Sequence, residues 1–507
     1  MSASRKEKAI AAAEQAAAAK RKTIQYTAIG VVIVVLIAAL LFWDSGMIQR
    51  DSTAVTIGNT DYSAAEVTYY YNSAYQEVAL YAQYGLNSYD LSKAPEDQTY
   101  STDSATGEVT TYADYFEQYA VEQLTTITAL YDAAIAAGYT EADVADVVEE
   151  EMANLKQSAI SSGYSSAKQL LVAYYGNFIT PTIYRDIVAR QALASQYLTD
   201  YTDALEYSDA DLTSYYEANA DTMDTFNYAY LYFKAETVET KDADGKELTE
   251  DEVAAAKKQA LADAQAKADE ASELLKNGTD FEAVVESLEP SSSSAKLITL
   301  GSGMNTYLAD WLTDSARKSG DMTVIAYSEY GYYTVVFNER YLDETPSVNV
   351  RHILITAEQD EGAEQPTAAQ MLDAKLRAED LLSSWQTGAA TEESFATLAN
   401  EHSADTGSNT TGGLYENVFP GDFVPCFDTW MFEEGERKTG DVAVLENNGD
   451  SNYYGYHVVY FSGVNDGDFQ WKNTATTALS NDDVDAMISG LTDTLTVTEQ
   501  SGMKHVG

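Results

Sequence analysis

Cysteine is almost absent: Cys426 is the only one in 507 residues. That excludes an intrachain disulfide and any metal site built on two thiolates. Cys426 sits in the aromatic run from Phe419 to Phe432, where a small buried hydrophobe is expected rather than a nucleophile. Positive charge is scarce as well, with 30 Lys and Arg against 81 Asp and Glu and a net charge of −51. Binding to nucleic-acid phosphates needs basic patches and is excluded. Peripheral attachment to anionic lipid is excluded on the same ground, and a solvated acidic surface is expected instead. No G-x-S-x-G elbow is present, and the spacing assigns Ser403 no base, which argues against a hydrolase. There are only four histidines, and no third ligand accompanies the two that stand out below, so neither a metal nor a cofactor is expected.

Tyrosine, by contrast, reaches 38 residues, which suits either adaptable contact surfaces or an aromatic core. The length implies two to four domains. Residues 1–22 form a basic segment with Arg5, Lys6, Lys8, Lys20, Arg21 and Lys22 against Glu7 and Glu14. Residues 23–43 follow as an expected transmembrane anchor, because Tyr26 to Trp43 carries no charge and is long enough to span a bilayer. The charge asymmetry predicts a cytoplasmic N-terminus, with the bulk of the chain outside the cytoplasmic membrane. A cleaved signal peptide is the competing reading, although no clear small-x-small site follows the apolar run.

Residues 50–225 read as a mostly helical domain. Val55–Gly58 forms a short strand, and Ser63 with Glu66 a capping box. Residues 86–111 read as a polar loop. Phe116, Ala120, Leu124, Ile127, Tyr131 and Ala134 then recur at helical steps up to Gly138. Further helices are expected from Thr140, from Pro181 and from Ser208. Residues 466–507 read as a polar C-terminal tail, with Gly490 weakening a possible helix from Asp482 to Leu495.

Between these lies a duplication. Tyr228–Phe233 parallels Val350–Ile355, and Leu274-Leu275 parallels Leu381-Leu382. Phe281–Val284 parallels Phe395–Leu398, and Lys318–Asp321 parallels Lys438–Asp441, each after a tryptophan, Trp311 or Trp430. Tyr330-Gly331-Tyr332-Tyr333 parallels Tyr454-Gly455-Tyr456-His457. A repeat of this length implies a duplicated domain, 226–342 and 347–465. The first copy has Tyr230 in place of His352 and Tyr333 in place of His457. It is therefore expected to keep the fold without the chemistry.

The second copy carries four ordered blocks: the strand Val350-Arg351-His352-Ile353-Leu354-Ile355, the S-x-D…G-G-L run from Ser403 to Leu414, the G-x-F-V-P-x-F run from Gly421 to Phe427, and the strand Gly455-Tyr456-His457-Val458-Val459. In this it resembles the parvulin family of peptidyl-prolyl cis-trans isomerases. The strand–helices–parvulin layout of the whole chain resembles secreted and periplasmic foldases of the PrsA and SurA type. The fold implied is α+β: an N-terminal transmembrane helix, a helical chaperone-like domain, then two parvulin-like domains of antiparallel sheet with flanking helices, the first degenerate.

The resemblance implies a catalytic set of His352, Asp405, His457 and Asn452, and a proline pocket of Leu414, Phe423 and Phe427. His352 and His457 would lie within hydrogen-bond reach, Asp405 would polarise the rotating amide, and Asn452 would replace a family hydroxyl. A turn carboxylate such as Asp405 is expected to matter little to stability. Partners implied are unfolded or exported polypeptides with X-Pro bonds and, through one helix, the cytoplasmic membrane. The acidic segment Thr356–Glu361 excludes the basic loop of phosphate-directed relatives. The alternative is a peptide-binding holdase or scaffold without turnover, its two histidines satisfied core residues.

Overall fold

The computed structural model describes residues 31–35, 52–241, 246–360 and 362–507. Two units form, one from the chain up to Glu206 together with Ser480–Gly507, the other from Tyr207–Leu479. The basic segment 1–22 and all of the expected anchor 23–43 except a helical 31–35 lie outside the described residues. Among the described residues no helix is long and apolar enough to cross a membrane.

In the first unit β1 (Thr53–Ile57) and β2 (Thr60–Ser63) pair as an antiparallel hairpin. Helix α1 (Ala64–Gln83) opens on a reciprocal cap, with Ser63 Oγ accepting from the Glu66 N–H and Glu66 accepting from the Ser63 N–H. The segment 86–111 contains a small hairpin, β3 (Thr99–Thr102) with β4 (Val109–Thr111), where composition suggested only a loop. Helix α2 (Tyr112–Ala137) stops at left-handed Gly138. It is followed by α3 (Ala145–Ser161), α4 (Ala167–Tyr175) and α5 (Pro181–Asp203), the last with Pro181 in its first turn.

Many tyrosines of this unit are core, although Tyr81, Tyr84, Tyr100 and Tyr174 are exposed. Tyr62, Tyr70, Tyr71, Tyr89 and Tyr112 are buried around Phe116 and Leu124. The Tyr62 hydroxyl meets Thr128 Oγ1 at 2.6 Å, which satisfies the polar end of a buried ring. The last strand of the chain, β13 (Val497–Glu499), pairs antiparallel with β1.

The second unit begins with α6 (Asp209–Met223) and contains two sheets built alike. The first runs β5 (Thr225–Lys234), α7 (Glu250–Lys276), α8 (Phe281–Leu288), β6 (Ser292–Leu300), α9 (Thr306–Leu312), β7 (Met322–Tyr327) and β8 (Gly331–Tyr341). The second runs β9 (Pro346–Thr356), α10 (Ala368–Thr387), α11 (Glu392–His402), β10 (Leu414–Val418), α12 (Pro425–Asp428), β11 (Val442–Asn448) and β12 (Tyr454–Phe469). Their antiparallel orders, β6-β5-β8-β7 and β10-β9-β12-β11, are the same. The registers match too: Tyr230 faces Val335 as His352 faces Val459, and Tyr333 faces Tyr232 as His457 faces Leu354.

The two central strands of the second sheet, β9 and β12, bury both faces, because their side chains alternate. Ile353, Ile355, Val458 and Tyr460 pack against Ala374, Ala378, Trp385 and Phe395 of α10 and α11. Val348, Val350, Val459 and Phe461 pack on the other side against Phe427, Trp430 and Met431. The segment 466–507, read above as a polar tail, instead completes β12 and continues as α13 (Gln470–Thr492) before β13. Trp471 and Ala475 of α13 bury against Leu212 and Met223, and that burial outweighs the cost of about 1 kcal/mol for Gly490 inside the helix.

Candidate active site

The histidines stand on β9 and β12, the two central strands of the second sheet. His352 lies opposite Val459, two residues along from His457, so the rings are diagonal neighbours on one face. They stack with centroids 5.2 Å apart and 16° between planes, and both are buried. The loop carrying Asp405 is pressed against the same strand. His352 N–H donates to Gly413 O at 2.9 Å, and Leu354 N–H donates to Ser403 Oγ at 3.1 Å. Ser403 thus ties the loop to the strand.

The loop turns through left-handed Gly412 (φ +73°) and Gly413 (φ +69°). A Cβ at Gly413 would sit 2.2 Å from the His352 carbonyl oxygen. Gly413→Ala should therefore push the loop off β9, at a cost of roughly 1–3 kcal/mol from the left-handed backbone alone. Chemical denaturation of the variant measures this, and an unchanged midpoint with unchanged slope would contradict it.

Hydrogen bonds run through the pair in a fixed direction. His352 Nε2 lies 2.8 Å from Asp405 Oδ2, so that nitrogen carries the proton and donates to the carboxylate. His352 Nδ1 is then an acceptor, and His457 Nδ1, 3.0 Å away, must donate to it. His457 Nε2 is left bare and accepts from the Tyr453 hydroxyl at 3.0 Å. The chain Tyr453–His457–His352–Asp405 needs both imidazoles neutral.

Charge and burial agree with that order. Burial first, and then the adjacent His352, hold the His457 pKa down at about 3, with Asp405 opposing both. The Asp405 carboxyl is held well below its usual range, first by the His352 N–H and then, against burial, by the hydroxyls of Ser408 and Tyr415 and the Gly407 N–H. Both folded-state values lie below the unfolded ones, so the unfolded chain binds more protons as pH falls. Stability from these groups is full above about pH 6.5 and is lost on acidification, first through His457, by up to about 1.4 kcal/mol per pH unit. Melting temperatures between pH 7 and pH 4 should fall, and less steeply in His457→Gln; parallel curves for the two proteins would refute the assignment.

Asp405 is not the loosely held turn carboxylate expected above. Its Oδ2 accepts from His352 Nε2, from the Ser408 hydroxyl and from the Tyr415 hydroxyl at 2.9 Å, and its Oδ1 accepts from the Gly407 N–H at 3.1 Å. With Ser408 fully buried, removing the carboxylate strands donors that water cannot reach.

An aromatic wall flanks the rings. Phe427 stands edge-on to His457 at 4.7 Å and to His352 at 5.5 Å between centroids. Phe423 stacks on Phe427 at 5.1 Å, and Tyr415 meets Phe423 at 4.9 Å. Leu414 is not part of this wall. It pairs with Arg351, on the opposite face of the sheet from His352, while Tyr415 pairs with Val350 on the histidine face. Reading the pocket from the G-G-L run was thus one residue early. Asn452 lies in the tight turn Asp450–Asn452, with its side chain outside the described residues. The hydroxyl on His457 belongs to Tyr453. A count of four along an extended chain stays on one face, whereas five crosses it, and that parity could have identified Tyr453.

Cys426 is half-buried beside Phe427, its thiol pushed up to about 11 by burial, so it has no thiolate to offer near neutral pH. No group of three His, Cys, Asp or Glu able to hold a metal occurs among the described residues. In the first sheet, Tyr230 and Tyr333 occupy the histidine positions with centroids 5.9 Å apart, and Tyr232 stacks on Tyr333. Only Glu289–Ser291 joins α8 to β6, where Ser403–Gly413 joins α11 to β10, so the first copy has no loop to carry an Asp405.

Residues 333–465 match the sequence family described as the PPIC-type PPIASE domain. Chaperone SurA of Saccharophagus degradans is 31% identical over 201 residues, covering 36% of this chain and 41% of that protein. Chaperone SurA of Alkalilimnicola ehrlichii is 27% identical over 172 residues, covering 32% and 37%. The chain thus spans well under half the length of these curated relatives. Among solved structures it is similar to foldase protein PrsA from Streptococcus pneumoniae (12% identity, 80% of this chain and 96% of that one, TM-score 0.30) and PrsA from Bacillus subtilis (12%, 79% and 93%, TM-score 0.25).

Proposed function

We propose that this chain, whose residues 333–465 match the PPIC-type PPIASE domain, is a parvulin-type peptidyl-prolyl isomerase that catalyses cis–trans isomerisation of X-Pro bonds in unfolded or exported polypeptides and assists their folding. The observation that carries the reading is the one-way hydrogen-bond chain from Tyr453 to Asp405 beside the Phe423–Phe427 wall. An X-Pro bond rotates over a barrier near 20 kcal/mol because its amide is partly double-bonded. No bond need form or break. The ring is held on apolar aromatics, water is excluded, and fixed dipoles favour the twisted amide over the planar one. A ~10⁴-fold acceleration takes only about 5–6 kcal/mol off the barrier. Phe423, Phe427 and Tyr415 hold the ring; His352 and His457 supply the fixed dipoles. Asp405 acts through His352, because its own lone pairs already serve four donors.

The first sheet, with Tyr230 and Tyr333 at the histidine positions, is assigned binding or spacing without turnover. The bulk of the chain acts outside the cytoplasmic membrane, anchored through residues 23–43. What supports the anchor is the uncharged run after a basic flank. Protease added to intact cells should degrade everything after Trp43; full protection with sealed membranes would exclude this orientation.

The test is a refolding experiment on a protein limited by a slow proline step. Catalytic amounts of the full chain should speed that phase, and His352→Ala with His457→Ala should abolish the effect. If only stoichiometric amounts act, and by retarding refolding, the holdase reading replaces this one.

A further inference from the structure

On β11, two residues beyond the Leu445 that pairs with His457, lies a buried amide that the catalytic reading does not use. Asn447, near the end of β11, is fully buried. Its Nδ2 donates to Asp450 O and to Tyr453 O, both at 3.0 Å, while its Oδ1 has no partner. A buried amide with a bare acceptor is a poor choice for stability alone, since an apolar side chain of similar volume would leave nothing unpaired. What the amide holds is an unfavourable turn. Gly449 has φ +105° and Ser451 φ +55°, both in the left-handed region. A Cβ at Gly449 would lie 2.9 Å from the Tyr454 hydroxyl. Such backbone persists where its surroundings fix it, and it recurs at functional sites. This turn ends at Tyr453, whose hydroxyl is the donor to His457 Nε2.

We propose that Asn447 is a positioning residue for the histidine pair: by clamping the Asp450–Tyr453 turn it fixes the Tyr453 hydroxyl on His457 Nε2, and with it the orientation of both stacked rings. The inference rests on the isomerase reading of this site. Two donated hydrogen bonds from one rigid amide set the position of the Tyr453 backbone, and the side chain of Tyr453 carries that position to the ring. Asn447 makes its hydrogen bonds to Asp450 and Tyr453 and none to either histidine, so its polar effect on them passes through Tyr453.

The test uses the full chain with ¹⁵N-labelled histidine, as wild type, Asn447→Ala, Tyr453→Phe and the double variant. In the wild type the His457 Nε2 resonance should be that of a hydrogen-bonded acceptor. Asn447→Ala should shift it in the same direction as Tyr453→Phe does. Each single variant should lower kcat on an X-Pro peptide by about five- to tenfold with little change in KM, the loss of roughly one hydrogen bond. The double variant should be no worse than Tyr453→Phe, because both act on one contact. An unshifted Nε2 resonance in Asn447→Ala, or effects that multiply in the double variant, would overturn the proposal. If Asn447→Ala does not fold, Asn447→Ser, which keeps one donor in less volume, takes its place. If neither folds while Tyr453→Phe does, Asn447 is a fold residue and the proposal fails. Absence of turnover in the wild type would overturn the isomerase reading instead, and the nitrogen resonance reports on the clamp independently of it.

Discussion

Asp405→Ala is expected to lose most of the turnover and to destabilise the domain by about 3 kcal/mol. The stability term follows from its partners. The carboxylate accepts from His352, Ser408, Tyr415 and Gly407, and alanine leaves all four donors without it. Each buried donor left unpaired costs about 1–3 kcal/mol, and those that reach water recover part of that. The activity term follows from the proton order. Without Oδ2 nothing holds the proton on His352 Nε2, so the direction of the Nδ1–Nδ1 hydrogen bond is no longer set. A loss above about tenfold corresponds to about 1.4 kcal/mol of barrier. Asp405→Asn keeps the volume but turns an NH₂ towards at least one of the same donors, so it should fall between wild type and alanine in stability. Urea unfolding and a peptide assay check both terms. Wild-type stability with wild-type turnover in Asp405→Ala would remove Asp405 from the site.

Phe427→Ala should be the most damaging apolar change in the domain, at about 3–5 kcal/mol. Phe427 is 1% exposed and contacts both histidine rings as well as Phe423. Its removal opens a cavity under the pair and takes away the support of Phe423, the partly buried ring stacked on it against which a proline ring would sit. KM for an X-Pro peptide should rise along with the loss of stability, and Phe427→Leu should recover much of the latter. Leu414→Ala is the internal control. Leu414 lies on the Arg351 face, so it should leave KM unchanged. Equal KM effects at 414 and 427 would show that the wall is misplaced.

Much of this architecture is legible in the sequence. Alternating Val350, His352 and Leu354 fixed a common face, and the paired blocks around Trp311 and Trp430 exposed a duplication that reappears as two sheets of one strand order. The antiparallel α+β class is what the family resemblance carried by those blocks implies. Contacts that depend on register were not readable. Leu414 and Tyr415 are both large neighbours after two glycines, and only the pairing with β9 tells which one faces His352. The resemblance puts the hydroxyl position at Asn452, whereas the hydroxyl on His457 belongs to its neighbour Tyr453. The hub role of Asp405 depends on Ser408 and Tyr415 folding back onto one oxygen, a tertiary fact with no local pattern. The end of the chain misled for another reason: its composition is polar, yet Trp471 and Ala475 suffice to bury one face of α13.

The most direct test of the account is exchange between cis and trans signals of a short X-Pro peptide in the presence of substoichiometric full-length protein. The account predicts exchange broadening with the wild type and its loss in Asp405→Ala and in the His352→Ala, His457→Ala pair. Exchange that persists undiminished in those variants, or its absence with the folded wild type, would contradict it.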